Sequence, residues 1–173
     1  MEMNQIETCP DNMLQEMYIE CGTPAKVIRH MQAVAAFQDQ LLDDLEAAGL
    51  DYDRVTLRRA ALLHDICRHR HDHAEAGAAY LESKGFCLTA ELVRDHHRPA
   101  GSQNCRLTPA DILFYSDKRL LGENIVSLQE RFASSRSKCL TPDASCMHDA
   151  QYERAVMIEE AVANVLSSNG RQE

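Results

Sequence analysis

A chain of 173 residues with 45% apolar content, seven glycines, five prolines and no tryptophan can bury about two thirds of its unfolded surface in one core without disulfide staples. That composition favours helices packed through aliphatic side chains over a β-rich fold. The formal net charge of −9 excludes the basic stripe of a nonspecific nucleic-acid binder, and no apolar run approaches the roughly 18 residues of a membrane span.

Seven cysteines form no CxxC pair and are odd in number, so they read as reduced thiols. The N-terminus carries no basic-then-apolar leader, and a cytoplasmic protein is expected.

Taken in order, Met1 to Pro10 is polar and expected to fray, and Asp11 to Glu20 has the pattern of a short amphipathic helix ended by Cys21-Gly22. Thr23-Pro24 reads as an N-cap followed by a first-turn proline. The spacing of Val27, Ile28, Met31, Val34, Leu41, Leu42 and Leu45 predicts a long helix reaching Gly49, with His30 bordering its buried face. Asp51 to Asp53 start a helix over Val55 to Ile66. Arg68 to His73 reads as a solvated connection, and a helix from His73 closes at Lys84-Gly85.

A shorter helix is predicted from Thr89 to His96 or His97, stopped by Arg98-Pro99, with a loop from Pro99 to Leu107. Thr108-Pro109-Ala110-Asp111 is a strong start for a helix running to Gly122. Asn124 to Phe132 reads as a further short helix and Ser134 to Ser145 as a polar loop with a Thr141-Pro142 start signal. The last helix covers Tyr152 to Leu166 within a C-terminal helical segment of about 147–167, before a disordered Ser-Ser-Asn-Gly tail. No repeat, linker or second domain is visible. The expectation is one all-α bundle over 1–173, with its core at about 23–132 and the C-terminal helix packed on it.

Four segments place metal-competent groups on or beside apolar helical faces: His30, the adjacent His64-Asp65, His73 with His96 or His97, and Asp117. Ionisable groups in such surroundings are costly unless compensated. Mixed imidazole and carboxylate donors suit one or two divalent ions drawn from Fe, Mn, Co, Ni, Zn or Mg. Groups this far apart in sequence can meet only inside a packed bundle. Taken singly each has a plainer reading: His30 as a packing histidine, Asp117 as a partner of Lys118 or Arg119, and His69, His71 and His148 as solvated side chains.

The order His30 in "KVIRHMQAVA", His64-Asp65 in "AALLHDICR" and Asp117 in "LFYSDKR" resembles the HD-domain superfamily of metal-dependent phosphohydrolases over about Thr23 to Phe132. The resemblance implies an all-helical HD-type bundle with these residues as metal ligands. Members that hold two metals add two histidines, here His73 in "HAEAGAAYL" and His96 in "LVRDHHRPAG", with His97 the alternative. In this expanded form the chain is similar to bacterial bis-nucleotide hydrolases that symmetrically cleave diadenosine tetraphosphate, although the residues after His96 depart from their Thr-Gly continuation.

The activity so implied is hydrolysis of a phosphoester or phosphoanhydride in a small nucleotide-like substrate by a metal-activated water. Asp65 is the natural bridge between two ions and, with Arg68, the residue nearest the chemistry; Arg68 and Lys118 are candidates for substrate phosphate. The competing expectation is a weakly active or inactive HD-type module that binds metal and nucleotide for regulation. The expected partner is a small phosphorylated or nucleotide substrate, without nucleic acid or membrane, and a homodimer is compatible with the sequence.

Overall fold

The periodic apolar stretches fold as helices whose ends are set by particular side chains. In this computed structural model residues 11–98 and 107–169 are described. Helix α1 (Asp11–Glu20) stops at Gly22, whose φ of +62° suits a residue without Cβ. There the Thr23 amide donates to Tyr18 O (2.9 Å) and the Gly22 amide to Ile19 O (3.1 Å), so the last carbonyls of the helix are satisfied. Helix α2 (Ala25–Ala47) buries Met31, Val34, Leu41, Leu42 and Leu45 along one stripe.

Helix α3 (Arg54–Leu63) starts at Asp53, whose carboxylate accepts from the Thr56 amide at 3.1 Å. Helices α4 (His73–Ser83) and α5 (Cys87–Asp95) follow. Helix α6 (Pro109–Lys118) opens with a reciprocal pair in which Thr108 Oγ1 accepts from the Asp111 amide and Asp111 Oδ2 from the Thr108 amide. A two-stranded antiparallel hairpin comes next, β1 (Leu120–Leu121) with β2 (Asn124–Ile125), then α7 (Leu128–Arg136) and α8 (Pro142–Asn169).

Several boundaries differ from the sequence expectations. Helix α3 ends at Leu63, short of the expected Ile66, and 64–69 form tight turns in which the Ile66, Arg68 and Arg70 amides donate to Leu63, Asp65 and Cys67 carbonyls. Pro24, not Thr23, is the N-cap of α2, its carbonyl accepting from the Val27 and Ile28 amides, and the Thr23 hydroxyl donates to Ile66 O. The expected helix from Asn124 is instead strand β2 and then α7. Ser127 and Glu130 close a reciprocal capping box there, which fixes the start of α7 at Leu128.

Most of the stretch expected as a loop from Ser134 to Ser145 is also helical. Helix α7 runs on to Arg136, and α8 begins at Pro142 with the Ala144 amide on Thr141 Oγ1. At the other end α8 reaches Asn169, and the hydroxyls of Ser167 and Ser168 fold back on Asn164 O. The expectations for Met1 to Pro10, for 99–106 and for Gly170 lie outside the described residues.

Among the described residues, then, eight helices make an all-α bundle with one small hairpin. Its buried apolar residues fall into two clusters. One joins α1, the first half of α2, α3, α4 and α5 through Met31, Val34, Leu63, Ile66, Leu81 and Val93. The other joins the second half of α2 to α6, α7 and α8 through Leu42, Leu45, Ile112, Phe132, Ile158 and Val162. No helix among the described residues is long and apolar enough to cross a membrane, and the five described cysteines are free thiols.

Candidate metal centre

The site grows out of the place where α3 stops. With the helix ended at Leu63, the His64 ring turns back so that Nδ1 donates to Ala61 O at 2.9 Å. The same local geometry recurs at the end of α5, where His96 is the C-cap and its Nδ1 donates to Val93 O. His30, within α2, donates from Nδ1 to Gly122 O at 2.7 Å, in the turn of the β1–β2 hairpin. A carbonyl oxygen only accepts, so Nδ1 carries the proton in all three rings and Nε2 presents its lone pair.

Those lone pairs meet carboxylates. His30 Nε2 lies 3.1 Å from Asp117 Oδ1, and His64 Nε2 lies 3.7 Å from Asp117 Oδ1 and 3.8 Å from Asp65 Oδ2. His96 Nε2 is 3.6 Å and His73 Nε2 3.3 Å from Asp65 Oδ1. His64 and His96 are 0% and 1% exposed. Their Nε2 atoms and Asp65 Oδ1 are buried with no hydrogen-bond partner.

Acceptors facing acceptors in a dry interior repel unless a cation stands between them. A divalent ion bound by imidazole nitrogen and carboxylate oxygen fits this donor set, and each Nδ1 anchor on a backbone carbonyl is the outer support that metal-ligating histidines use. Two groups of residues can converge on an ion: His30, His64 and Asp65, and Asp65, His73, His96 and His97. Asp65 belongs to both.

His97 is the residue that the sequence places behind His96 as a ligand. Its Nε2 lies 2.8 Å from His73 Nε2, and its carbonyl accepts from Gln151 Nε2 of α8 at 2.8 Å. The doubled histidine is the available signal. Both rings reach the cluster because α5 ends at Asp95, directly before them.

At Gly77 α4 lies against the 64–69 turn and α5: a methyl group there would touch Ile66 Cγ2 and Val93 Cγ1 at 3.4 Å, ordinary contact distance.

Charge follows this geometry. Burial alone would raise Asp65 and Asp117, but the positive charge of a protonated His64 beside Asp65 and of the Lys118 ammonium beside Asp117 outweighs it and holds both carboxyls below their usual range. Burial would lower His64, yet Asp65 and Asp117 more than offset it and raise the ring, so without a cation a proton takes up that role. Burial dominates at the other end, pushing His73 down to about 4 and His97 to about 2, and His96 is lowered as well. Neutral imidazoles are the form that binds a metal.

The two basic residues expected to meet phosphate sit differently. Arg68 is half exposed, with Nε 3.3 Å from Asp65 Oδ2 and Nη1 3.4 Å from the His73 ring. Lys118 is 4% exposed, and its ammonium donates to Asp117 Oδ2 at 2.6 Å. Phosphate could reach Lys118 only if that pair opened. Of the other cations near the ligands, Arg119 is held by Val126 O, Tyr115 and Glu159, and Arg98 pairs with Asp95. His148 is apart from the cluster, on Ser135 and Phe132 O.

A helical bundle with a buried His/Asp cluster able to hold a divalent ion defines a metal-binding protein of a kind consistent with metal-dependent hydrolysis. The family model described as HD domain matches residues 27–141, and the chain belongs to that family. Comparison with curated proteins and with solved structures finds no match.

Proposed function

We propose that this protein is a metal-dependent phosphohydrolase that cleaves a phosphoester or phosphoanhydride bond in a small nucleotide-like substrate. The observation that carries the reading is the set of buried, unpartnered acceptors, His64 Nε2, His96 Nε2 and Asp65 Oδ1, which only a cation or a proton can compensate. In this reading His30, His64, Asp65 and Asp117 hold one ion, and Asp65, His73 and His96 hold a second, with Asp65 between them. A bound divalent ion would supply Lewis acidity, drawing charge from a phosphoryl oxygen and acidifying a water.

The chain's own residues do the rest. The Nδ1 anchors hold three imidazoles in register before any ligand arrives, so little reorganisation is needed on binding. Arg68, exposed at the edge of the cluster, can leave Asp65 for a substrate phosphate, which matches its planar fork. Dinucleoside polyphosphates are the finer substrate proposal. They rest on the resemblance of the six-ligand pattern to the bis-nucleotide hydrolase branch, from which the His97-Arg98 continuation departs.

Metal analysis of anaerobically purified protein, with a panel of mono-, di-, cyclic and bis-nucleotides, tests the proposal. Two equivalents of ion with turnover on one substrate class supports it. Metal-loaded protein that binds a nucleotide tightly without turnover would replace it by the regulatory-module reading, and protein that binds no metal and hydrolyses nothing would end both.

A further inference from the structure

The turn that carries His64 and Asp65 is fastened from a part of the chain that the family match does not include. The match begins at residue 27, whereas α1 and the corner after it precede that point. From this corner two hydroxyls reach the turn. Tyr18 donates to Leu62 O at 2.9 Å, and Thr23, 9% exposed, donates from Oγ1 to Ile66 O at 2.7 Å.

These two carbonyls bracket the ligand pair, one two residues before His64 and one directly after Asp65. They need outside donors because α3 ends at Leu63 and leaves the carbonyls of its last turn without successive helical amides. Ala61 O takes the His64 ring and Leu63 O the Ile66 amide; Leu62 O takes Tyr18, and Ile66 O takes Thr23. The corner itself is set by the Gly22 stop, where the Thr23 amide is tied to Tyr18 O at 2.9 Å. Both donors therefore come from one locally fixed piece of backbone.

We propose that Thr23, assisted by Tyr18, is a positioning residue for the metal centre: its hydroxyl on Ile66 O sets the rotation of the 64–69 turn and so the placement of the Asp65 carboxylate. The inference rests on the metal-site reading above. Asp65 is the sensitive point because its two oxygens lie 3.3 to 3.8 Å from the Nε2 atoms of His64, His73 and His96. A small rotation of the turn moves Asp65 relative to His73 and His96, which belong to α4 and the end of α5, while ligand sets of this kind tolerate only about 0.5 Å of misplacement. Thr23 is bonded to a main-chain carbonyl of the turn and Tyr18 to one in the last turn of α3 just before it, so their effect on the ligands passes through the backbone.

The test is calorimetric titration of metal-stripped protein with Co(II), alongside the melting temperature of each stripped variant. Thr23→Val keeps the side-chain shape and removes the donor; it should weaken Co(II) binding about tenfold, the lower end of what losing an outer-shell partner costs. Thr23→Ser keeps the donor and should stay within about twofold of wild type on the same scale. Tyr52→Phe deletes a like bond, from Tyr52 to Leu107 O at 3.0 Å, in the other apolar cluster from Ile66, and should lower the melting temperature without moving Co(II) affinity.

Thr23→Val that folds and binds Co(II) as tightly as wild type overturns the inference, as does Thr23→Ser that binds as weakly as Thr23→Val. Should Thr23→Val not fold, Tyr18→Phe decides: weaker Co(II) binding in a folded variant supports the inference, and unchanged binding overturns it. Wild-type protein that takes up no Co(II) instead defeats the metal-site reading itself.

Discussion

The two sides of Asp65 are built differently. Towards α6 the partners are His30, His64 and Asp117, the side richer in oxygen because a carboxylate joins two imidazoles, and Asp117 is already paired with the buried Lys118 ammonium. Towards α4 and α5 the partners are His73, His96 and His97, a nitrogen-rich set reached over the contact at Gly77. The first side is held by the 23-residue α2, by the end of α6 and by the hairpin carbonyl on His30. The second comes from α4 and α5, joined by a tight turn, and its His73 and His97 are partly buried, as His30 is on the first side. Carboxylate-rich and imidazole-rich surroundings favour different ions, so one bundle offers two unequal half-sites sharing a single carboxylate.

Asp65→Ala removes the shared member and should have the largest effect. Both equivalents of metal are lost and turnover falls to background, as metal analysis and a nucleotide assay would show; retained turnover would break the comparison at its centre. Asp117→Ala attacks the oxygen-rich side alone and leaves Lys118 buried without its carboxylate. A cost of about 3–5 kcal/mol in denaturant unfolding is expected, together with loss of one equivalent of ion, and a stability within error of wild type would contradict the pairing.

His96→Ala attacks the nitrogen-rich side and leaves no buried charge. It should remove one equivalent of ion while the other is retained, and loss of both would show that the halves are not separable. Its stability cost should lie below that of Asp117→Ala.

The smallest effect is on pH. In chelator-treated protein His73 and His97 are held near 4 and 2 by burial, whereas the unfolded chain takes up those protons near pH 6.5. Between those values the unfolded state binds more protons, so stability falls as pH falls below about 6.5. His64, raised by its two carboxylates, acts in the opposite sense, contributing stability below its unfolded pKa that is lost as pH rises. With His96 lowered too, three rings oppose one. The melting temperature of the stripped protein should be lower at pH 5 than at pH 7.5, and metal saturation should reduce the difference; a higher value at pH 5 would reverse the balance drawn between the two sides.

Much of this architecture is legible in the chain's local patterns. Helices α2, α4 and α6 follow from apolar spacing and from end signals such as Thr108-Pro109 and Gly85, because an amphipathic helix writes its period into adjacent residues. The hairpin is not legible, since strands of two residues carry no period, and β2 stands where a helix is expected from Asn124. Ser127 and Glu130 do carry the start of α7, as a Ser-x-x-Glu box that the apolar pattern overshadows. The polar stretch around Ser134 to Ser145 reads as loop on composition, whereas its helical ends continue α7 and α8, which pack on the bundle outside that stretch through Leu128, Phe132, Ala155 and Ile158.

The sequence by itself determined a helical chain of the HD type and the residue types gathered for a metal, because helix period and ligand chemistry are local properties. Tertiary structure decided which atoms meet. It ended α3 before His64, turned each Nδ1 to a carbonyl, engaged Lys118 with Asp117, brought His97 beside His73 and sent Thr23 to Ile66 O. The His30, His97 and Thr23 contacts join segments far apart in the chain, whereas the His64 and His96 anchors and the Lys118–Asp117 pair are local contacts fixed by where the helices end. Such choices depend on where neighbouring helices leave a backbone group unsatisfied, and no pattern within a single segment records that.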